Sequence, residues 1–459
     1  MGSNQIYEEK IGIGEKLAYM LGGMGGVPLF AIISGFLVYF YTNVVGLDAG
    51  SIGMIVLVSK VFDGVSDLLF GNIIDKTRTK KGVCRPWVFR ISIFGAIGIL
   101  ALFTVPNVGV VGQLIYVFIS YNISQTVIYT IMQLAIISLP TYMTRDTVQR
   151  TGIFVWGSIG QSLMTIIISS VTLGLVSMFG EGQRAWIIAA CIYSALSAVF
   201  VFVTGAVCKE HVNPDEVAGE EAKLPFLTVL RSILQNKYWF EILGIVLVGA
   251  GTYVASLQMH TYYAQYILGD VNIASVMNMA YTAPLLICGM LLLPLSRHFG
   301  KRTIMLTGVG VQALGCLLIV LVPKSLPFIL IATVMKSIGQ SCAATMYQPM
   351  LGDAIEYGQW KTGVRSQAAF MGASGAGQKV GQGVVTALLG GVMSMAGFNG
   401  AAAVQSAEAI SSVSRLFLFV PLVFTVIELV IILAYDLDKH FGTIMKELEK
   451  RQNFQKDEQ

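Results

Sequence analysis

Residues 50–90 read GSIGMIVLVSKVFDGVSDLLFGNIIDKTRTKKGVCRPWVFR. The stretch 50–72 is apolar and long enough to cross a bilayer, which takes about 20 residues as a helix. Three charges interrupt it, Lys60, Asp63 and Asp67, and six basic residues follow within 75–90. A crossing followed at once by a basic turn is the pattern of a polytopic membrane helix whose turn faces the cytoplasm. The apolar run is continuous rather than alternating, which excludes the ten-residue strands of a membrane β-barrel.

The same pattern extends through the chain. Its 459 residues are 55% hydrophobic and 12% charged, with mean hydropathy +0.71, whereas soluble domains carry about 25% charge. Apolar stretches fall near 17–42, 50–72, 88–106, 111–140, 153–179 and 184–208. After a polar break they resume at 237–263, 270–296, 303–322, 327–350, 367–397 and 410–436. The expected fold is therefore an all-α polytopic membrane protein of twelve transmembrane helices. A six-helix half (1–208), a cytoplasmic central loop (209–236), a second six-helix half (237–436) and a cytoplasmic tail (437–459) make up the chain.

Orientation follows from Lys and Arg. One alternating set of loops holds 24 of the 30 basic residues, and the opposite loops hold Arg184 and Lys324. Both termini are thus expected in the cytoplasm. The net charge of +4 is loop bias and implies no nucleic-acid partner. Basic turns follow the second span (DKTRTKKG) and the eighth (RHFGKR), and polar turns follow the fourth and the tenth. Such an echo fits the major-facilitator arrangement. The six cysteines show no metal-ligand spacing and read as small buried hydrophobes, so no structural metal and no cofactor are expected.

Charges within a span need a partner or a task. Lys60, Asp63 and Asp67 stand at i, i+3 and i+7, on one helical stripe. Two carboxylates one turn apart offer oxygen ligands to Na⁺ or a place for H⁺; the alternative is a packing salt bridge between Lys60 and one of them. Lys379, in SGAGQKVGQGV, lies among small residues and either balances the acids or reaches the surface along its stem. Lys336 falls near the middle of the tenth span. Glu428, deep in the twelfth, reads as a hydrogen-bonded or protonated carboxyl.

Three segments, FYTNVVGL (40–47), VFDGVSDLLFGNIIDKTRTKKGVCRPW (61–87) and GDAIEYGQWKTGVRSQ (352–367), resemble the glycoside-pentoside-hexuronide:cation symporters. That family of bacterial major-facilitator proteins includes melibiose and glucuronide carriers. The resemblance spans almost the whole chain. It implies cation binding at Asp63 and Asp67, with Thr130 and Ser66 contributing, and coupling roles for Lys60 and Lys379. Ser66 stands where the melibiose carrier has a sodium-selecting asparagine, which leaves H⁺ open beside Na⁺. The sugar-facing positions depart further: Val27, Gln133, Ile137 and Val155 occupy places held there by two aspartates, a tryptophan and an arginine.

Replacement substrate contacts are expected by chemistry from Gln133, Trp156, Tyr121, Gln161, Tyr253, Gln258 and Lys379. The amides would serve hydroxyls, the aromatics a sugar face, and the lysine an anionic group. The charged turns supply a candidate cytoplasmic gate of Asp75, Arg78, Lys81, Arg85, Arg145, Asp146, Asp353, Glu356, Lys361 and Arg365. The expected function is cation-coupled symport of a glycoside, a glucuronide or another sugar conjugate, by alternating access; it is not an enzyme. The alternative is an uncoupled facilitator or exporter of an amphiphilic glycoside or aglycone. The expected setting is a bacterial cytoplasmic membrane, as a monomer with no obligate protein partner, the lipid bilayer and a small-molecule substrate being its partners.

Overall fold

In hydrocarbon each backbone N–H and C=O needs a partner within its own segment, so apolar runs of this length become helices. The computed structural model describes residues 11–79, 81–144, 146–180, 182–212, 231–363, 367–402 and 404–457. The helices are α1 (Ile13–Gly35), α2 (Ala49–Asp75), α3 (Arg85–Phe103), α4 (Val110–Tyr121), α5 (Thr130–Met143), α6 (Thr147–Met178) and α7 (Gln183–Val207). They continue as α8 (Lys237–Tyr263), α9 (Ile273–Phe299), α10 (Lys301–Leu321), α11 (Leu326–Thr362), α12 (Gln367–Met395), α13 (Ala407–Ala434) and α14 (Leu437–Asp457). Three π-helical segments also occur, Phe40–Val44, Asn122–Tyr129 and Ala264–Leu268, the second joining α4 to α5. Among the described residues, nine spans are long and apolar enough to cross a membrane. Three more helices, α2, α9 and α12, have spanning length, at 27, 27 and 29 residues.

The chain forms two compact units, Met1–Glu221 with Asn399–Val404 and Ala222–Phe398 with Gln405–Gln459. Each repeats one packing scheme. In the first, α1 packs on α6 and α7, and α3 on α7; in the second, α8 packs on α12 and α13, and α10 on α13. The α1–α6 contact is backbone against backbone. A Cβ on Gly160 would lie 2.1 Å from the Met20 carbonyl oxygen, and one on Gly23 would lie 2.3 Å from that of Gly157. Only glycine permits that approach.

Helix starts and stops are set locally. Asn236 caps α8 through Trp239 N at 3.1 Å, and its amide nitrogen donates to Ala354 O at 2.7 Å, which ties α8 to α11. Helix α11 corrects an expectation. The segment GDAIEYGQWKTGVR is expected to be a polar turn after the tenth span, yet the helix runs on to Thr362. Pro349 before the segment and Gly352 and Gly358 within it do not stop the helix, which Gly363 ends at φ 72°. At about 1.5 Å per residue, its 37 residues reach roughly 55 Å, beyond a hydrocarbon core of about 30 Å. The tail is likewise helical, as α14, with Leu437, Ile444 and Leu448 buried in the second unit's core. Along α13, Phe419, Val423, Val426, Val430 and Leu433 form an exposed apolar stripe at helical spacing, the face a helix offers to lipid.

Candidate functional site

Helix α2 and the α4–α5 rod bring four of the expected cation residues together inside the first unit. Asp63 is fully buried, and its Oδ2 lies 3.3 Å from Lys60 Nζ. Its Oδ1 is buried with no hydrogen-bond partner. One turn on, Asp67 is half-buried and accepts a hydrogen bond from the Thr130 hydroxyl at 3.3 Å. Ser66, between the acids, donates to Asp63 O at 2.9 Å and lies 3.5 Å from Thr130 Oγ1. Two carboxylates and two hydroxyls thus meet where α2 faces α5, one carboxylate balanced by an ammonium on its own helix. Hard oxygens in this number suit a small monovalent cation or a proton.

Thr130 is placed by the π-helical segment Asn122–Tyr129 immediately before it. A π segment re-aims the side chains that follow and is frequent at functional sites. Asn122 anchors this segment to α2, its amide nitrogen donating to Ser59 Oγ at 2.8 Å. Tyr121, expected to face substrate, is buried within electrostatic reach of Asp63, and its hydroxyl has no hydrogen-bond partner.

Two of the expected substrate residues do meet. Gln133 and Gln161 line one cavity of about 240 Å³ in the first unit, with Tyr19, Ser158, Phe154 and Ile137 on its wall. Trp156 is half-buried outside that lining. Gln258 is buried and donates to Thr386 Oγ1 at 3.1 Å, a bond between α8 and α12. Tyr253 is half-buried against Tyr281, their ring centroids 6.0 Å apart. Lys379 is half-buried on α12 of the second unit.

A family model described as MFS/sugar transport protein matches residues 18–439. The chain belongs to the MFS/sugar transport protein family. It is 26% identical over 454 residues to the isoprimeverose transporter of Lactiplantibacillus pentosus, covering 97% of this chain and 93% of that relative. It is 24% identical over 445 residues to the putative glycoside/cation symporter YagG of Escherichia coli (strain K12), covering 95% of each. A crystal structure of a bacterial homolog to the human lysosomal transporter Spinster shares 13% identity at TM-score 0.65, covering 94% of this chain and 96% of that one. That likeness bears on the fold alone. The chain is therefore a multi-pass membrane transporter of the MFS/sugar transport protein family.

Several charged residues at the helix ends of this MFS/sugar transport protein family member are engaged within their own unit. Asp353 pairs with Lys301 at 2.6 Å, and Lys361 Nζ donates to Gln235 O at 2.8 Å. Arg85 Nε and Nη2 donate to Gly205 O and Ala206 O at 2.8 and 2.7 Å, closing the end of α7. Arg78 is exposed and donates to Thr77 O at 3.2 Å; Lys81 is exposed, and Asp146 and Glu356 are half-buried. Arg145, Arg365 and the side chain of Asp75 lie outside the described residues. Sequence reasoning missed Glu210. Its carboxylate accepts from Val83 N, Cys84 N and Arg85 N at 2.7–2.8 Å. The signal available was one acid soon after a span, which singles out no partner.

Proposed function

We propose that this transporter is a cation-coupled symporter that imports a glycoside, a sugar conjugate such as a glucuronide among the candidates. The observation that carries this reading is the Asp63–Ser66–Asp67–Thr130 cluster, with the buried Asp63 Oδ1 left without a donor. A cation there, Na⁺ or H⁺, would satisfy that oxygen and neutralise the second acid. The cavity lined by Gln133 and Gln161 is the proposed sugar-facing surface, since amides donate to and accept from hydroxyls. Twelve crossings are proposed, the nine apolar spans with α2, α9 and α12, in a bacterial cytoplasmic membrane with both termini in the cytoplasm. The charged turns would act as a gate in alternating access. A membrane potential of 100 mV offers about 2.3 kcal/mol per charge, roughly fiftyfold accumulation.

Uptake into proteoliposomes tests this reading. A panel of glucuronides, galactosides and xylosides would be offered under an imposed Na⁺ or H⁺ gradient, to wild type and Asp63→Asn. Accumulation driven by one gradient and lost in the variant is the expected result. Equilibration indifferent to both gradients and to the variant would sink it. A second reading, an uncoupled facilitator or exporter of an amphiphilic glycoside or aglycone, is favoured by Ile137 and Phe154 on the cavity wall. It predicts that indifferent outcome.

A further inference from the structure

The second unit contains a buried polar cluster that the function described above does not use. Glu428 of α13 is fully buried, and neither carboxyl oxygen has a hydrogen-bond partner. Gln312 of α10 faces it, but its amide nitrogen donates instead to Thr425 Oγ1 at 2.8 Å. Gln340 of α11 donates to Gly249 O at 3.2 Å. A methyl group on Gly249 would lie 3.5 Å from both Gln340 Nε2 and Glu428 Oε1, so these two side chains converge on one spot of α8. The amide oxygens Gln312 Oε1 and Gln340 Oε1 are also buried without a donor. Four acceptor oxygens on three helices of the second unit are therefore buried without a hydrogen-bond donor in bonding geometry. Each unmet buried group costs free energy comparable to a lost hydrogen bond, and a buried ionised carboxylate costs several kcal/mol.

One proton changes that balance. On Glu428 it converts an acceptor into a donor, and the new O–H can be given to either amide oxygen. It also removes the buried negative charge. Lys336 of α11, 1% exposed, also has its Nζ without a hydrogen-bond partner. Cys316 of α10 lies within electrostatic range of both Lys336 and Glu428. Tyr281 of α9 also faces Glu428, and His260 of α8 faces Lys336. Helix α12 carries one ionisable side chain, Lys379, half-buried.

We propose that Glu428 is a second proton-binding site, carried entirely by the second unit. Loaded, it donates its O–H to Gln312 or Gln340 and leaves Lys336 apart. Unloaded, its carboxylate turns to the Lys336 ammonium. The step moves one proton and breaks no other covalent bond. It is independent of the reading of Asp63, because no residue is shared.

The test is infrared difference spectroscopy of the full-length protein in lipid during a pH titration, reading the C=O stretch of protonated carboxyl groups. Wild type should show a titrating band that Glu428→Gln removes and Asp63→Asn leaves in place. In Lys336→Met the same band should persist to higher pH, since the unloaded carboxylate has lost its counter-ion. This second variant serves even if Glu428→Gln fails to fold. A Glu428 band that never titrates would overturn the proposal in favour of a fixed structural acid. So would the absence of any band that depends on Glu428 or Lys336. Loss of the Asp63→Asn effect on uptake, with the Glu428 band intact, would count against the first site alone.

Discussion

Arg85 and Glu210 meet through the backbone: Glu210 Oε1 accepts the Arg85 N–H at 2.7 Å, while the Arg85 guanidinium turns away to the last carbonyls of α7. The acid satisfies the unpaired N–H groups at the start of α3, and the base satisfies the unpaired C=O groups at the end of α7. The second unit repeats the device. Arg302 Nε and Nη2 donate to Ile432 O and Leu433 O at 3.3 and 2.7 Å, and its N–H to Asp438 Oδ2 at 3.3 Å. Three short bonds to Glu210 against one long bond to Asp438 rank the two acids. Glu210→Ala should cost about 2 kcal/mol, and Asp438→Ala about 0.5 kcal/mol. Thermal unfolding in detergent would measure both, and equal losses would refute the ranking.

Thr130 contributes one hydroxyl to Asp67, and valine keeps its shape without that donor. Thr130→Val should raise the cation concentration that half-saturates uptake about fivefold, the equivalent of ~1 kcal/mol. Thr130→Ser should recover most of it. A titration of uptake against Na⁺ or pH reads the effect, and a change in maximal rate alone would place the hydroxyl elsewhere in the cycle.

Gly160 and Gly152 lie on the same helix in opposite circumstances. A Cβ on Gly160 would meet the Met20 carbonyl at 2.1 Å, and one on Gly152 would meet nothing within 4 Å. Gly160→Ala should therefore push α1 from α6 and destabilise by about 3 kcal/mol. Gly152→Ala should be neutral or gain about 0.5 kcal/mol from reduced chain entropy. Melting temperatures of the two variants side by side give the comparison.

Asp436 follows α13 and accepts from the Tyr238 hydroxyl at 2.8 Å, with Lys237 at 3.3 Å. The Tyr238 hydrogen bond holds its carboxyl below the usual aspartate range, with Lys237 assisting. A depressed value in the folded state stabilises above the unfolded aspartate range and is lost as pH falls through the folded value. Tyr238→Phe should thus melt earlier than wild type at neutral pH, and the two should converge below about pH 4. A constant gap down to acidic pH would show that tyrosine packing, rather than the charge, is responsible.

Apolar length makes the helices legible in the sequence. Lys60, Asp63 and Asp67 were legible for a similar reason, since helical spacing puts them on one stripe. The resemblance supplied Thr130, because no local rule pairs it with residues more than sixty positions away. Gln258 and Tyr121 are polar and lie within spans; the structure bonds Gln258 to α12 and buries Tyr121 within electrostatic reach of Asp63. Polarity within a span marks a side chain that needs a partner without naming it. Glu428 stood out as an acid deep in a span, but its neighbours Gln312 and Gln340 and the partners of Glu210 were illegible on the same ground: they come from other helices, and sequence spacing carries no record of them.

The π-helical segment Asn122–Tyr129 accommodates an extra residue in the turn leading to Thr130. Successive residues of an α-helix are about 100° apart around its axis. Were this segment to relax to plain α-helix with no residue lost, everything beyond it would be rotated by about that angle. The threonine facing Asp67 would then give way to a neighbour, although no residue of the cluster had been altered. The acidic cluster is in this sense a vernier, whose two scales agree at one setting. Drift of the bulge by a single position along the rod would suffice to disengage them.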